Sequence, residues 1–102
     1  MLRSVEILMI TIVAKNSIKQ TKVEEFKGLA EKLIKESRKE KGNISYNLYQ
    51  DANKCNVLTF IEEWENEDVI KSHNNSEHFT SIVPQFEDLQ ESQSEVNLYK
   101  LI

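Results

Sequence analysis

Apolar positions recur along the chain with two different periods, and the switches between them mark six elements. Residues 5–15 (VEILMITIVAK) are apolar on both alternating faces, with Leu8, Ile10, Ile12 and Ala14 on one and Ile7, Met9, Thr11 and Val13 on the other. A strand with one wet face alternates apolar and polar, so this pattern predicts a central strand covered on both sides. Residues 21–40 change to the helical period. Val23, Phe26, Leu29, Ala30, Leu33 and Ile34 fall within an arc of ~140°, and charged residues fill the rest of the helix. Thr21-x-x-Glu24 has the form of a capping box. Gly42 supplies the left-handed residue that ends helices, with Lys39 and Lys41 near the negative pole.

Residues 44–50 (ISYNLYQ) alternate as a strand, residues 51–54 form a polar turn, and residues 57–64 (VLTFIEEW) return as the second arm of a hairpin. Asn66 can cap a short helix running to about Asn74, and Ser76 can open another carrying Phe79, Ile82 and Val83. Pro84 should kink or restart that helix, whose apolar side continues through Phe86 and Leu89. Residues 96–102 (VNLYKLI) read as a closing strand. The order strand, helix, strand, strand, helix, strand is the ferredoxin-like split βαβ pattern. It predicts an α+β subunit with both helical segments on one face of a four-stranded antiparallel sheet. The other face, already apolar on the first strand, predicts a homodimer with two sheets packed together; a monomer would leave that face open and be poorly soluble.

Length and charge narrow the function. A chain of 102 residues is expected to be one domain over its whole length. The formal net charge of −4 argues against nucleic acid, whose binders need clustered positive charge. Cys55 is the only cysteine, which excludes an internal disulfide and gives no paired spacing for zinc. The apolar run at residues 7–14 is far too short for a membrane span and lacks a secretory cleavage signature. A cytoplasmic protein with a reduced thiol, acting on a small molecule and not on a membrane, is the expectation.

Candidate chemistry concentrates on the third strand and the helix after it. Phe60, Glu62 and Trp64 share a face by period-two alternation. On the helix side, the Glu62 carboxyl sits between aromatic rings, and desolvation raises its pKa; at the sheet rim it merely pairs with a lysine or caps a helix. His73 falls between the inward positions Val69 and Ile70, so its imidazole faces the sheet on the side of Trp64. A partly buried imidazole suits proton transfer near neutral pH, although a core histidine bonded to a backbone carbonyl has the same spacing. His78 flanks the apolar stripe of the next helix, at a pocket rim or on the surface. Phe79 and Phe86 are wall or core, and of Tyr46 and Tyr49, on opposite faces, at most one can reach a helix-side pocket. Two histidines five residues apart with no carboxylate pair nearby match no metal spacing, and the two glycines form no phosphate loop.

These pieces together resemble the antibiotic biosynthesis monooxygenase (ABM) domain family. The residues that carry the likeness are MITIVAK, the charged helix ending in Glu40-Lys41-Gly42-Asn43, Tyr46 and Asp51, Glu62-x-Trp64-Glu65, and His73 followed by Ser76-x-His78-Phe79. The resemblance implies a dimeric α+β barrel of ferredoxin-like subunits with a pocket between sheet and helices. It also implies oxidation of quinol-like or polycyclic aromatics by O2 with no metal, flavin or other cofactor. His73 would then be base or orienting group, with Glu62 and Asn16 as polar anchors. Trp64, Phe79, His78, Phe60, Phe86 and Tyr46 would surround the substrate. Haem-degrading relatives carry an iron-binding histidine where this chain has Val83, which argues against that activity. An isomerase branch acting on a phosphorylated, sugar-like autoinducer-2 would need a cation, for which Lys15 is the pocket-mouth candidate; a dimeric binding protein without turnover is the third alternative.

Overall fold

The computed structural model describes residues 9–102. Four strands, β1 (Ile10–Ser17), β2 (Asn43–Gln50), β3 (Val57–Trp64) and β4 (Glu95–Tyr99), form one antiparallel sheet in the order β2-β3-β1-β4. Helix α1 (Val23–Ser37) joins the first two strands, and α2 (Glu67–Asn74), α3 (Glu77–Ile82) and a 3-10 segment (Val83–Leu89) lead to the last. This is the ferredoxin-like α+β topology expected of the element order. Residues 5–8 of the expected first strand lie outside the described residues.

Burial follows the strand period. Every second residue of β3 is buried (Leu58, Phe60, Glu62 and Trp64), and their neighbours on β1, Ile10, Ile12 and Asn16, are buried with them. Against this face α1 lays Phe26, Ala30 and Leu33, with Phe26, Phe60 and Phe86 in mutual ring contact at centroid separations of 4.6–6.2 Å. At about 25 cal/mol per Å² of apolar area, such aromatic packing dominates the core energy. The inner face of β4 is different: Val96 and Leu98, in register with Ala14 and Ile12, stay 55 % and 53 % exposed, so the helices cover only part of the sheet. No helix among the described residues is long and apolar enough to cross a membrane.

Caps and turns account for the helix boundaries, with two departures from expectation. Asn66 and Ser76 cap α2 and α3, their side-chain oxygens accepting from the backbone N–H of Val69 and Phe79. Pro84 stops α3 and the chain continues as a tighter 3-10 turn, as a residue lacking an N–H requires. The capping box at Thr21 and Glu24 does not form; residues Gln20–Lys22 make a 3-10 turn, and α1 starts after it with no side-chain cap. Thr21 lies inside that turn, where Lys22 N–H donates to the Lys19 carbonyl at 2.8 Å, so Lys22 and not Thr21 stands at the helix cap. Helix α1 also ends at Ser37, short of Glu40, and two further turns lead into β2.

Gly42 shapes that connection. It has φ +91°, and a Cβ there would lie 2.5 Å from Cγ1 of Val69. Its carbonyl accepts from Glu65 N–H at 2.9 Å, locking the turn to the end of β3. Replacing it, Gly42→Ala, should therefore destabilise the fold by about 1–3 kcal/mol through backbone strain and the Val69 clash. Urea unfolding of the variant beside the parent measures this; an unchanged midpoint would mean that the turn relaxes freely.

Candidate active site

The gap left between the sheet and α2, α3 and the 3-10 segment is a cavity of about 720 Å³. Strand alternation sends Asn16, Tyr46, Phe60 and Glu62 into it, and the helices add His73, Phe79 and Phe86. Seven of the residues expected from sequence thus converge on one hollow. Trp64 and His78 do not line it. Trp64 is fully buried beneath His73, its ring centroid 4.5 Å from the imidazole, and it serves the cavity only through the groups it holds. His78 packs on the far side of His73, at 5.9 Å between ring centroids, against a carboxylate.

That carboxylate belongs to Glu40, which local spacing could not reveal. Glu40 Oε2 lies 2.6 Å from His73 Nδ1 and 2.6 Å from His78 Nε2. A carboxylate only accepts, so the protons sit on those two nitrogens. His73 Nε2 is thereby left with its lone pair, directed at the Tyr46 hydroxyl 3.4 Å away. Burial pulls the His73 pKa down, against the opposing pull of Glu40, and the ring is a neutral acceptor at neutral pH.

Glu62 is the second buried titratable group. Its pKa is pushed up to about 7, chiefly by desolvation, while the Trp64 indole N–H, donating to Oε1 at 2.9 Å, works the other way. Tyr46 moves upward too, first from burial and then from the nearby Glu62 charge, so its hydroxyl keeps its proton. Further along β1, Asn16 accepts from Gln90 Nε2 through Oδ1 at 3.0 Å and donates to the Ala14 carbonyl at 3.2 Å. Gln90 was not a candidate from sequence, and only the return of the chain beside the end of β1 brings it to the cavity. Lys15 is exposed and, by alternation with Ala14 and Asn16, stands on the opposite sheet face, so no cation faces the cavity mouth from that position.

With this geometry in view, residues 9–85 match the family described as "Antibiotic biosynthesis monooxygenase". The chain belongs to that family. It is 35 % identical over 81 residues to a Bacillus subtilis protein named "Putative monooxygenase YcnE", covering 79 % of this chain and 85 % of that one. A crystal structure of a conserved protein from Methanosarcina mazei superposes with a TM-score of 0.92 at 38 % identity, over 99 % of this chain and 100 % of the other. A second, described as an antibiotic biosynthesis monooxygenase, gives 0.88 at 27 % identity, over 91 % of this chain and 98 % of that one.

The raised Glu62 pKa carries a stability signature with a definite sign. The folded state holds the proton up to about pH 7 and the unfolded chain only to about 4.5. Between those values the native state binds more protons, so stability falls as pH rises, and the loss is complete above 7. The amount is about 3 kcal/mol for a shift of this size. Glu62→Gln, which keeps an oxygen for the Trp64 N–H, should therefore gain on the parent by roughly that amount between pH 4.5 and 7.5. Urea titrations at the two pH values measure it; an equal difference at both would show that Glu62 titrates normally.

Proposed function

We propose that the protein is a monooxygenase that oxidises a quinol-like or polycyclic aromatic small molecule with O2, the substrate itself supplying the electrons. In such a reaction a phenol gains a carbonyl oxygen, giving a quinone and one water, so no external reductant enters the balance. The observation that carries this reading is the pairing of a neutral imidazole acceptor, His73 Nε2, with a carboxyl, Glu62, that keeps its proton up to about pH 7, on one aromatic-walled cavity. A substrate hydroxyl that displaces Tyr46 from His73 Nε2 gives up its proton there, producing the electron-rich anion that can reduce O2. The freed Tyr46 hydroxyl and the protonated form of Glu62 donate to the oxygen on which charge grows.

The cavity also suggests the length of its occupant. Glu62 is in register with Ile12, and Asn16 lies four residues further along the same strand, with Ala14 between. At about 3.3 Å per residue the two polar ends are ~13 Å apart. Phe60 and Phe86 wall the space between. That suits a fused-ring substrate with oxygen functions at both ends, one on the His73 side and one on the Asn16 side. The isomerase reading loses its support with Lys15 facing away.

Oxygen uptake with a panel of hydroquinones and hydroxylated polycyclic aromatics tests the proposal. The intact protein should consume O2 with at least one, and His73→Ala should lower turnover by about 10²–10⁴-fold with an unchanged circular dichroism spectrum. Uptake with none would leave a binding protein without turnover, and full activity in the variant would remove His73 from the chemistry.

The same reading takes the subunit as half of a cytoplasmic homodimer. Val13 and Ile61, paired across β1 and β3, lie half-buried on the outer sheet face, and Tyr49 and Tyr99 on that face are each 52 % exposed. A second copy placed there would bury them and raise the apolar area of a short chain. Light scattering should give twice the chain mass, falling to one mass for Ile61→Asp; a monomeric parent would refute the assembly.

A further inference from the structure

Glu40, His73 and His78 come from three different segments: the turn after α1, the last turn of α2 and the first turn of α3. Each offers one ligand atom, and the three atoms lie within 4.8 Å of one another. A network of hydrogen bonds needs no such convergence, since a carboxylate has two oxygens to share. Here both imidazoles address the same one, Oε2, at 2.6 Å each. Two imidazole nitrogens gathered on one carboxylate oxygen are the donor set of a divalent transition ion, and we propose that this cluster binds one.

The geometry needs little adjustment. Ligand atoms at 2.0–2.1 Å from a tetrahedral ion stand ~3.4 Å from one another. Two of the present separations, at 2.6 Å, are shorter than that and the third is at most 4.8 Å, so the carboxylate must withdraw by about 1 Å to open the centre. As the ion enters, each imidazole would carry its proton on the ring nitrogen that does not ligate, so His73 Nε2 would become an N–H donor facing Tyr46. An outer partner is already in place for His73, whose other nitrogen faces the Tyr46 hydroxyl at 3.4 Å. His73 is held immobile by burial, whereas the side chains of Glu40 and His78 are 16 % and 18 % exposed, which gives the ion a way in and leaves room for a water as fourth ligand.

Ligand chemistry selects the ion. Imidazole and carboxylate together favour Zn2+, Co2+ or Ni2+ over Mg2+ and Ca2+, which take oxygen ligands in larger number, and no thiolate is present to draw a softer ion. The position also separates this site from the cavity. Glu40 and His78 do not line the cavity, and the ion would sit on the Nδ1 side of His73, with the aromatic-walled space on the other. The ion would hold the ring from behind without meeting the substrate, and would switch its cavity-side nitrogen from acceptor to donor, so the loaded protein would lack the base proposed above.

The test uses the full chain without an affinity tag, whose histidines would bind the same ions. Equilibrium dialysis with Zn2+ should give one ion per chain, and Co2+ should produce visible d–d absorption of a low-symmetry site. Mg2+ at the same concentrations should give neither. His78→Ala should weaken Zn2+ binding by more than about a hundredfold, the loss that an outer-shell partner alone can cause. His78→Gln keeps a donor for Glu40 while removing the imidazole, so it reads the same contact if the alanine variant unfolds. Stoichiometry far below one, equal uptake of Mg2+, or affinity unchanged in a folded His78 variant would each overturn the site and leave the cluster as a hydrogen-bonded knot.

Discussion

One carboxylate oxygen organises the polar side of this molecule. Glu40 Oε2 receives both imidazole N–H groups, tying the turn after α1 to two helices that follow the hairpin. The contact decides which nitrogen of His73 carries the proton and so which one faces the cavity. Its own position depends on backbone geometry upstream of the hairpin. Gly42, left-handed and pressed against Val69, turns the chain into β2, and the Glu40 carbonyl accepts from Asn43 N–H within the same turn. A backbone conformation open to glycine thus fixes the protonation pattern of a ring more than thirty residues away.

The cavity is expensive to maintain. Glu62, Asn16 and His73 are all nearly buried, and an unpartnered polar group in such surroundings costs several kcal/mol. Each has a partner that fixes its orientation: the Trp64 indole for Glu62, Gln90 for Asn16, Glu40 for His73. The indole engages one oxygen of Glu62 and leaves the other for the cavity, whereas Asn16 is bonded at both ends, also donating to the Ala14 carbonyl, and His73 turns its second nitrogen to Tyr46. A fold selected for stability alone would fill the same volume with aliphatic side chains, as its neighbours Ile12, Ala14 and Leu33 already do.

Much of this was legible in the residues because it is local. The period-two run of β3 gave its bounds and its buried face, and the Asn66 and Ser76 caps announced two helices whose turns are too short for periodicity to show. His73 was placed inward by its angle to Val69 and Ile70, and Ile70 and the imidazole are buried together. What escaped was contact between distant segments. Glu40 is 33 residues from His73 and Gln90 is 74 from Asn16, and nothing in the spacing of either marks a meeting. Trp64 was placed on the correct face, yet its depth depends on how far α2 settles on the sheet end, a packing outcome with no linear signal. Thr21-x-x-Glu24 failed for the opposite reason: the motif was present, but a 3-10 turn takes in Thr21 and leaves Lys22 at the cap position.

Selectivity follows from the same arrangement of half-satisfied groups. An occupant that displaces solvent from the cavity must offer an acceptor to the protonated Glu62 carboxyl and compete with the Tyr46 hydroxyl for His73 Nε2. The aromatic walls of Phe60, Phe79 and Phe86 attract any flat hydrocarbon, but hydrophobic fit separates close analogues by only 10–200-fold. Buried hydrogen-bonding groups discriminate by about 10⁴–10⁵-fold against a ligand lacking the matching function. Ring hydroxyls, not ring size, therefore govern which molecules this cavity can hold. In the reaction proposed above, the hydroxyl that reaches His73 is also the one that gives up its proton, so recognition and activation would fall on a single atom.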